Sequence, residues 1–308
     1  MPGPVVDADK RPVIAYLAVG IDDGAGHRNV ELRIARSGNA NPEGAGDWTH
    51  ALIAAAPGTC GGLCGGQSCV AGVATTDPQE CVTASTDCGT ACSATEVCVT
   101  GACRAFIDEP KVVALPGGTG LYVSLVMMFD GRLAAAYYDS TRRALVVAAE
   151  ATRGGNDFAE TVLDGNVAGR DRGMWSSAVA DGGGVVHIAY QDSLGDQLMY
   201  TTWNGTAGTP EVVDNGVRPG GRPHPVGAGS SIYLDAGAPV IAYQDGLLSD
   251  AILASRGTGT WMSVPLAAGP LLDGFSMAAT TGHGSPAIAW GSMDPALPIP
   301  MMLVVGSP

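Results

Sequence analysis

An aromatic residue and a carboxylate recur at matching places along the chain, and together they could bind a sugar. The aromatic residues are Tyr122, Trp175 and Phe275, the carboxylates are Asp139, Asp192 and Asp245, and their polar neighbours are Gln191, Gln244 and Arg172. A ring packs against the apolar face of a pyranose, while planar amide, carboxylate and guanidinium groups bind its hydroxyls. These residues form the predicted ligand-binding set.

The same residues also have a structural interpretation, which their repetition favours. Aspartate at the start of a turn commonly accepts backbone N–H groups, and an aromatic residue that packs between repeats is needed in every copy. Ala228 and Ser292 interrupt the pattern, so at most two copies keep both the aromatic residue and the carboxylate.

The candidate residues sit in a repeat that is built around one phrase. Val185–Asp192 returns as Leu133–Asp139 and Pro239–Asp245, with looser copies at Pro12–Tyr16 and Pro286–Trp290. The anchor alanines Ala136, Ala189 and Ala242 are 53 residues apart, and Ala289 follows after 47. Fixed periods of this size are typical of solenoids and propellers.

Each repeat contains short apolar or alternating segments punctuated by Gly, Asp and Asn, which is the pattern of strands and hairpins. A helical repeat is the alternative, but the 45 glycines argue against it, because Gly costs about 1 kcal/mol in a helix interior. The sequence therefore predicts an all-β fold, a β-propeller of four-stranded blades with about five repeats and short terminal ones.

The fold predicts where the candidate residues meet. The first two strands of a blade form an antiparallel hairpin, so the start of one and the end of the other share an end of the blade. The aromatic residues and carboxylates should therefore line one face, with Tyr138 beside them. The loops that open there carry Arg170, Arg172, Arg218 and Arg222.

All eight cysteines lie in one segment that breaks the repeat. They are Cys60, Cys64, Cys69, Cys81, Cys88, Cys92, Cys98 and Cys103. Zinc sites prefer paired C-x-x-C knuckles, which are missing here, so the pattern favours disulfides, of unassigned connectivity. The predicted organisation is a first repeat at 1–56, a cysteine-rich insert at 57–105 and repeats two to five at 106–308.

Charge and cysteine usage limit the partners and the compartment. A formal net charge of −14 disfavours nucleic acid and anionic membrane surfaces, and no apolar run is long enough to span a bilayer. Disulfides indicate the periplasm, the cell surface or the extracellular space. Asp22 and Asp23, in a glycine-rich loop, could hold Ca²⁺, although a solvated turn is the simpler interpretation.

The phrase Ile-Ala-Tyr-x-Asp, followed by a turn, Leu-x-Tyr and a Trp, resembles the repeats of bacterial sialidase-like and lectin-type β-propellers. The stretch Cys88–Cys103 resembles the cysteine-rich repeats of secreted bacterial surface proteins. The sialidase Asp-box is not cleanly present; Asp192-Ser-Leu-Gly-Asp is only similar to it. The resemblance implies a propeller that binds sugars in pockets on or between blades.

Three functions remain open at this point. The first is a secreted or cell-surface binding module, without catalytic activity, for carbohydrate or a surface protein. The second is a structural subunit that pairs its sheet edges with a neighbouring chain. A glycoside hydrolase comes third, because the candidate carboxylates are repeat copies and nothing separates an acid from a base.

Overall fold

The computed structural model describes residues 4–22, 28–57, 68–71, 79–105, 118–218, 221–257, 259–282, 285–296 and 301–306. Over these residues the regular structure is β-strand, apart from a short 3-10 turn at Ala45–Asp47. No helix long and apolar enough to cross a membrane occurs in this part of the chain.

The strands form five successive antiparallel sheets, which we number as blades 1 to 5. Blade 1 contains β1 (Val5–Val6), β2 (Pro12–Asp22), β3 (Arg28–Ser37) and β4 (Trp48–Pro57). Blade 2 contains β9 (Leu121–Met127), β10 (Leu133–Asp139), β11 (Ala144–Glu150) and β12 (Phe158–Gly165). Blade 3 contains β13 (Arg172–Ala180), β14 (Val186–Asp192), β15 (Gln197–Trp203) and β16 (Glu211–Asp214).

Blade 4 contains β17 (Ser231–Asp235), β18 (Ala238–Asp245), β19 (Asp250–Arg256) and β20 (Trp261–Ala267). Blade 5 has three described strands, β21 (Leu272–Gly282), β22 (Ser285–Met293) and β23 (Met301–Gly306). Strands follow one another in chain order across each sheet, as in a propeller blade. The predicted all-β propeller of four-stranded blades is therefore confirmed.

Two hairpins lie in the cysteine-rich insert. One pairs β5 (Ser68–Ala71) with β6 (Gln79–Val82), and the other pairs β7 (Glu96–Val99) with β8 (Ala102–Ala105). Disulfides join Cys88 to Cys98 and Cys92 to Cys103. The backbones of Cys69 and Cys81 are opposite each other on β5 and β6, whereas Cys60 and Cys64 lie outside the described residues. The insert is thus disulfide-bonded, as predicted.

The chain divides into two compact units. One comprises residues 1–15, 35–50 and 122–308, and it holds blades 3 to 5 together with blade 2 from Tyr122 onwards. The other comprises residues 16–34 and 51–121, and it holds the two hairpins of the insert.

The middle strands are largely buried, and neighbouring blades cover both faces of β14, where Ile188 packs against blade 2 and Ala189 against blade 4. Every residue of β10, β11 and β14 is buried. Leu145 and Val147 of blade 2 share one apolar cluster with Ile188 and Met199 of blade 3. Each such side chain contributes about 1.5–3 kcal/mol when fully buried, so the core of the fold lies between blades.

Serine hydroxyls join the innermost strands of successive blades. Ser124 Oγ accepts from the N–H of Ala178 at 3.0 Å, and Ser177 Oγ accepts from Ile232 at 3.1 Å. Ser231 Oγ accepts from Ala279 at 2.9 Å. This repeated bond keeps the innermost strands of blades 2 to 5 aligned, so that all of them start at the same end.

Candidate functional site

The blades have two distinguishable ends. In blade 3, Arg172 is opposite Asp192 at one end of the hairpin, and Ala180 is opposite Val186 at the other. We call the first the aspartate end, because Asp139, Asp192 and Asp245 close the second strands of blades 2 to 4 there. The other is the distal end.

The three predicted carboxylates are buried and hold the turns that follow them. Asp192 Oδ1 accepts from the N–H groups of Leu194 and Gly195 at 3.2 and 3.1 Å. Asp245 Oδ1 accepts from Leu247 and Leu248, both at 3.1 Å. Asp139 Oδ1 accepts from the N–H of Arg142 at 2.8 Å. Their binding role stays a prediction, and their turn-forming role is observed.

Arg172, the predicted ligand-binding arginine, lies between two carboxylates of neighbouring blades. Its guanidinium is 2.7 Å from Asp164 at the end of blade 2 and 2.9 Å from Asp192 of blade 3. The hydroxyl of Tyr190 donates to the same Asp164 at 2.6 Å. Burial raises the pKa of Tyr190 well above its ordinary value, and the Asp164 charge raises it further. The phenol therefore stays protonated as a hydrogen-bond donor.

Blades 3 and 4 meet through the same arrangement. Arg218 lies 2.9 Å from Asp214 and 3.1 Å from Asp245, and the hydroxyl of Tyr243 donates to Asp214 at 2.6 Å. His224 Nδ1 is 2.6 Å from Asp245. Although burial opposes ionisation, the Arg218 and Tyr243 side chains hold the pKa of Asp214 below its ordinary value. Of the remaining predicted loop arginines, Arg170 is 3.3 Å from Asp164, and Arg222 is exposed.

The two predicted glutamines also connect blades. The amide nitrogen of Gln191 donates to the carbonyl of Val226 at 3.1 Å, and that of Gln244 donates to the carbonyl of Asp273 at 2.7 Å. The Gln191 bond reaches the loop that leads into blade 4. The Gln244 bond reaches the first strand of blade 5. Their ligand-binding role stays a prediction.

Tyr122 and Trp175 come together on the aspartate end. Their ring centroids are 4.6 Å apart, and the ring of Tyr138 lies 6.4 Å from that of Tyr122. Trp175 is 40% exposed, which leaves part of the indole open to solvent. The structure thus places two of the three predicted aromatic residues in one surface, which we call the aromatic face: Tyr122, Tyr138 and Trp175.

The backbone of both residues is left-handed, with φ of 53° at Tyr122 and 55° at Trp175. A β-bulge shifts the register between Met174 and Ser177 and turns Trp175 out of the ladder. Gly173, just before the bulge, lies close to the backbone of blade 2. A Cβ on Gly173 would lie 2.7 Å from Cα of Leu145, so this close approach requires glycine. Bulges of this kind re-aim a side chain.

Phe275 does not occupy the position of Trp175 in blade 5. Phe275 is opposite Gly291, as Met174 is opposite Gln191, and the left-handed residue of blade 5 is Ser276, with φ of 51°. The corresponding residue of blade 4 is Gly229, with φ of 63°. The equivalence inferred from the sequence is therefore shifted by one residue in blades 4 and 5. These blades have one residue fewer than blades 2 and 3 between the bulge and the anchor alanine.

Tyr138 brings a carboxylate to the aromatic face. Its hydroxyl donates to Asp171 Oδ1 at 2.6 Å. Burial raises the pKa of Tyr138 far above its ordinary value, and the hydrogen bond to Asp171 adds to this effect. Tyr138 itself is buried, so the rings of Tyr122 and Trp175 and the partly exposed carboxylate of Asp171 are the groups that can pack on a pyranose and accept from its hydroxyls.

A cavity at the distal end was missed from the sequence. It has a volume of about 440 Å³ and lies between blades 2 and 3, against Phe129, Asp130, Arg132, Trp203 and Asn204. The available signal was Phe129-Asp-Gly-Arg132, an aromatic residue inside a charged turn. The other repeats carry no copy of this turn, so the repeat pattern does not mark it.

The predicted Ca²⁺ site cannot be placed. Asp22 ends β2, and Asp23 lies outside the described residues, so Ca²⁺ there stays a prediction. Elsewhere, sulfur atoms of Cys88, Cys92 and Cys103 lie within 4.8 Å of one another. All three are in disulfides, so none of them is a thiolate ligand.

Comparisons with known proteins give similarity at the level of the fold. No protein-family model matches the chain, and no curated protein matches its sequence. Similar solved structures include AofleA from Arthrobotrys oligospora, 12% identical with a TM-score of 0.37, over 98% of this chain and 88% of that one. An endo-arabinase from Bacteroides thetaiotaomicron is 12% identical with a TM-score of 0.40, over 100% and 96%.

The Trypanosoma rangeli sialidase in complex with the inhibitor DANA is 9% identical with a TM-score of 0.42, over 97% of this chain and 46% of that one. The chain therefore spans less than half the length of that sialidase. The resemblance to sialidase-like propellers is confirmed for the fold alone.

Proposed function

We propose that this protein is a secreted or cell-surface propeller that binds carbohydrate without catalysis, through the aromatic face at its aspartate end. The observation that carries the proposal is Trp175, a half-exposed indole packed on Tyr122 while its backbone is held at a φ of 55°. The ligand class rests on this chemistry, since the likeness to a sialidase or an arabinase extends to the fold alone.

Backbone strain supports a binding role for Trp175. A left-handed conformation costs an L-residue about 1–2 kcal/mol, and bulky residues rarely adopt it. Blade 4 has glycine at the same position, so the fold does not require a side chain there. The left-handed residue recurs at Tyr122 and Ser276, so the bulge belongs to the fold, and what sets blade 3 apart is an exposed indole kept where glycine would relieve the strain.

The surroundings of the carboxylates support a binder over a glycosidase. Glycoside hydrolysis uses two carboxyl groups in unlike environments, one of them kept protonated. Asp139, Asp192 and Asp245 all accept backbone N–H groups and all lie within 3.1 Å of an arginine. The three carboxyl groups therefore have alike surroundings, and none is set apart from the others as the acid of an unlike pair.

The disulfides support secretion. Cys88–Cys98 and Cys92–Cys103 would be reduced in most cytosols and persist in oxidising compartments.

Binding to a glycan array, followed by calorimetric titration of the strongest glycan, tests the proposal. Trp175→Ala is expected to weaken the affinity about ten-fold or more, because it removes the exposed ring of the face. Trp48→Ala is the matched control, since Trp48 is a half-buried tryptophan at the start of β4, away from the face. Wild-type affinity in Trp175→Ala would reject the proposed site.

A second candidate, assembly with a neighbouring chain, is favoured by blade 5. Among the described strands, none pairs with the outer edge of β23. An open edge offers backbone groups to another strand and can recruit one from a second molecule. This candidate requires a molar mass that rises with protein concentration.

A further inference from the structure

We propose a second carbohydrate site, for a neutral pyranose, in the distal cavity between blades 2 and 3. The inference goes beyond the proposed function, because the cavity shares no residue with the aromatic face and lies at the other end of the same blades. Phe129, Asp130 and Arg132 come from the turn between β9 and β10, and Trp203 and Asn204 from the end of β15.

The size of the cavity suits a small ligand. Its volume of about 440 Å³ falls within the 300–1,000 Å³ that is usual for such pockets. Glycine backbones form one rim: a Cβ on Gly184 or Gly205 would meet no atom within 4 Å. The cavity is therefore open at this rim, where a ligand can approach the backbone.

Phe129 supplies the apolar surface. Its side chain is 77% exposed, although it stands in a four-residue turn where the chain could carry a polar residue. The apolar face of a pyranose can pack on such a ring. Met128, which is buried beside it, gives the floor of the cavity an apolar contact.

The charges of the cavity neutralise one another. The Arg132 Nε is 2.7 Å from Asp130, and Arg132 Nη1 donates to the carbonyl of Glu150 at 3.1 Å. Glu150 is itself bonded to Arg36 and accepts from the N–H of Leu133 at 2.8 Å. With each carboxylate already paired to an arginine, the site offers no excess charge to an ionic ligand, and a neutral one fits best.

Polar groups remain for hydroxyls. Asn204 Oδ1 accepts from the N–H of Thr206 at 3.3 Å, and no described residue accepts a hydrogen bond from the Asn204 amide nitrogen. The indole N–H of Trp203 also has no partner in the described part of the chain, but it is closed to solvent and out of a ligand's reach. Asp130 and Arg132 form a partly exposed ion pair on the lining, whose remaining N–H groups and carboxylate oxygen can bind ligand hydroxyls.

Fluorine NMR of protein labelled with 5-fluorotryptophan tests this site and the aromatic face separately. The chain has five tryptophans, which single Trp→Phe variants assign. The probes are the methyl glycosides of glucose, galactose and mannose, with N-acetylneuraminic acid as an anionic comparison. At least one neutral glycoside is expected to shift the Trp203 resonance saturably, and the acid is expected to leave it in place.

Phe129→Ala should weaken that titration about ten-fold or more, as loss of an aromatic anchor does. Met262→Ala is the control, since Met262 is also a largely exposed apolar side chain and lies outside the cavity. No Trp203 shift with any probe, a stronger response to the acid, or an unchanged titration in Phe129→Ala would each overturn the inference. The Trp175 resonance reports independently on the aromatic face, so the two proposals fail separately.

Discussion

Trp175 and Gly229 hold the same place in consecutive blades, and they differ in what the left-handed backbone costs. Glycine adopts positive φ without steric conflict, whereas the indole residue retains strain that the rest of blade 3 must offset. The strain at Trp175 is a property of this residue, because glycine at the equivalent position of blade 4 is free of it.

Substituting Trp175 with glycine and with alanine measures that strain. Both variants lose the ring contact with Tyr122, but only glycine relieves the backbone, so Trp175→Gly should unfold with a free energy about 1 kcal/mol higher than Trp175→Ala. Urea denaturation gives the difference. Met262 in β20 is the control, because there glycine should be the less stable of the two. The same order at both positions would contradict the assigned conformation.

At this scale the turn-forming role of the carboxylates is observed, while the predicted ligand-binding roles stay predictions. Asp192 and Asp245 were grouped as possible sugar ligands, and their observed bonds are to turn N–H groups, the structural interpretation that repetition favoured. Phe275 was misaligned, because the one-residue shift at a bulge leaves no mark in the composition. Phe129 was missed because it has no repeat partner.

At the scale of elements, blades 3 and 4 are joined by a charged cluster of Tyr243, Asp214, Arg218, Asp245 and His224. Burial opposes the charge of Asp245, but His224 and the N–H groups of Leu248 and Leu247 hold its pKa below the ordinary 3.8. Because the pKa of Asp214 is lowered too, both carboxylates stabilise the folded state when ionised.

The cluster predicts the shape of acid unfolding. Its contribution is fully present above the ordinary carboxyl pKa of 3.8 and is lost as the pH falls from there through the lower folded values. Arg218→Gln should reduce the neutral-pH unfolding free energy by roughly 1–3 kcal/mol and flatten the acid limb. Thermal unfolding between neutral pH and pH 2 measures both effects.

Arg153→Gln is the matched control, because its pair with Asp9 is about half exposed and should contribute little at any pH. An acid limb as steep in Arg218→Gln as in the wild type would show that other carboxylates control it.

The elements themselves were largely predictable. The repeated phrase falls on the second strands: Leu133–Asp139 has the bounds of β10, and Asp192 and Asp245 end β14 and β18. Alternation and turn residues set such strands locally. The links between blades, through Ser177 or Tyr190, join residues tens of positions apart and have no local signature.

At the scale of the whole molecule, the sugar-binding and assembly hypotheses differ in solution mass. A self-contained binder should give one mass near 31.0 kDa at every protein concentration, with and without reductant. Light scattering over a concentration series measures it. A mass that grows with concentration would favour pairing through β23 and place assembly ahead of binding.

The opposite placement of the aromatic face and the distal cavity has a consequence for reach. A strand of seven residues, as in β14, spans roughly 23 Å at about 3.3 Å per residue, which sets the separation of the two ends. If both proposed sites bind, a single molecule would cross-link two glycans. So short a span would suit flexible glycan chains that can interpenetrate better than two rigid surfaces held further apart.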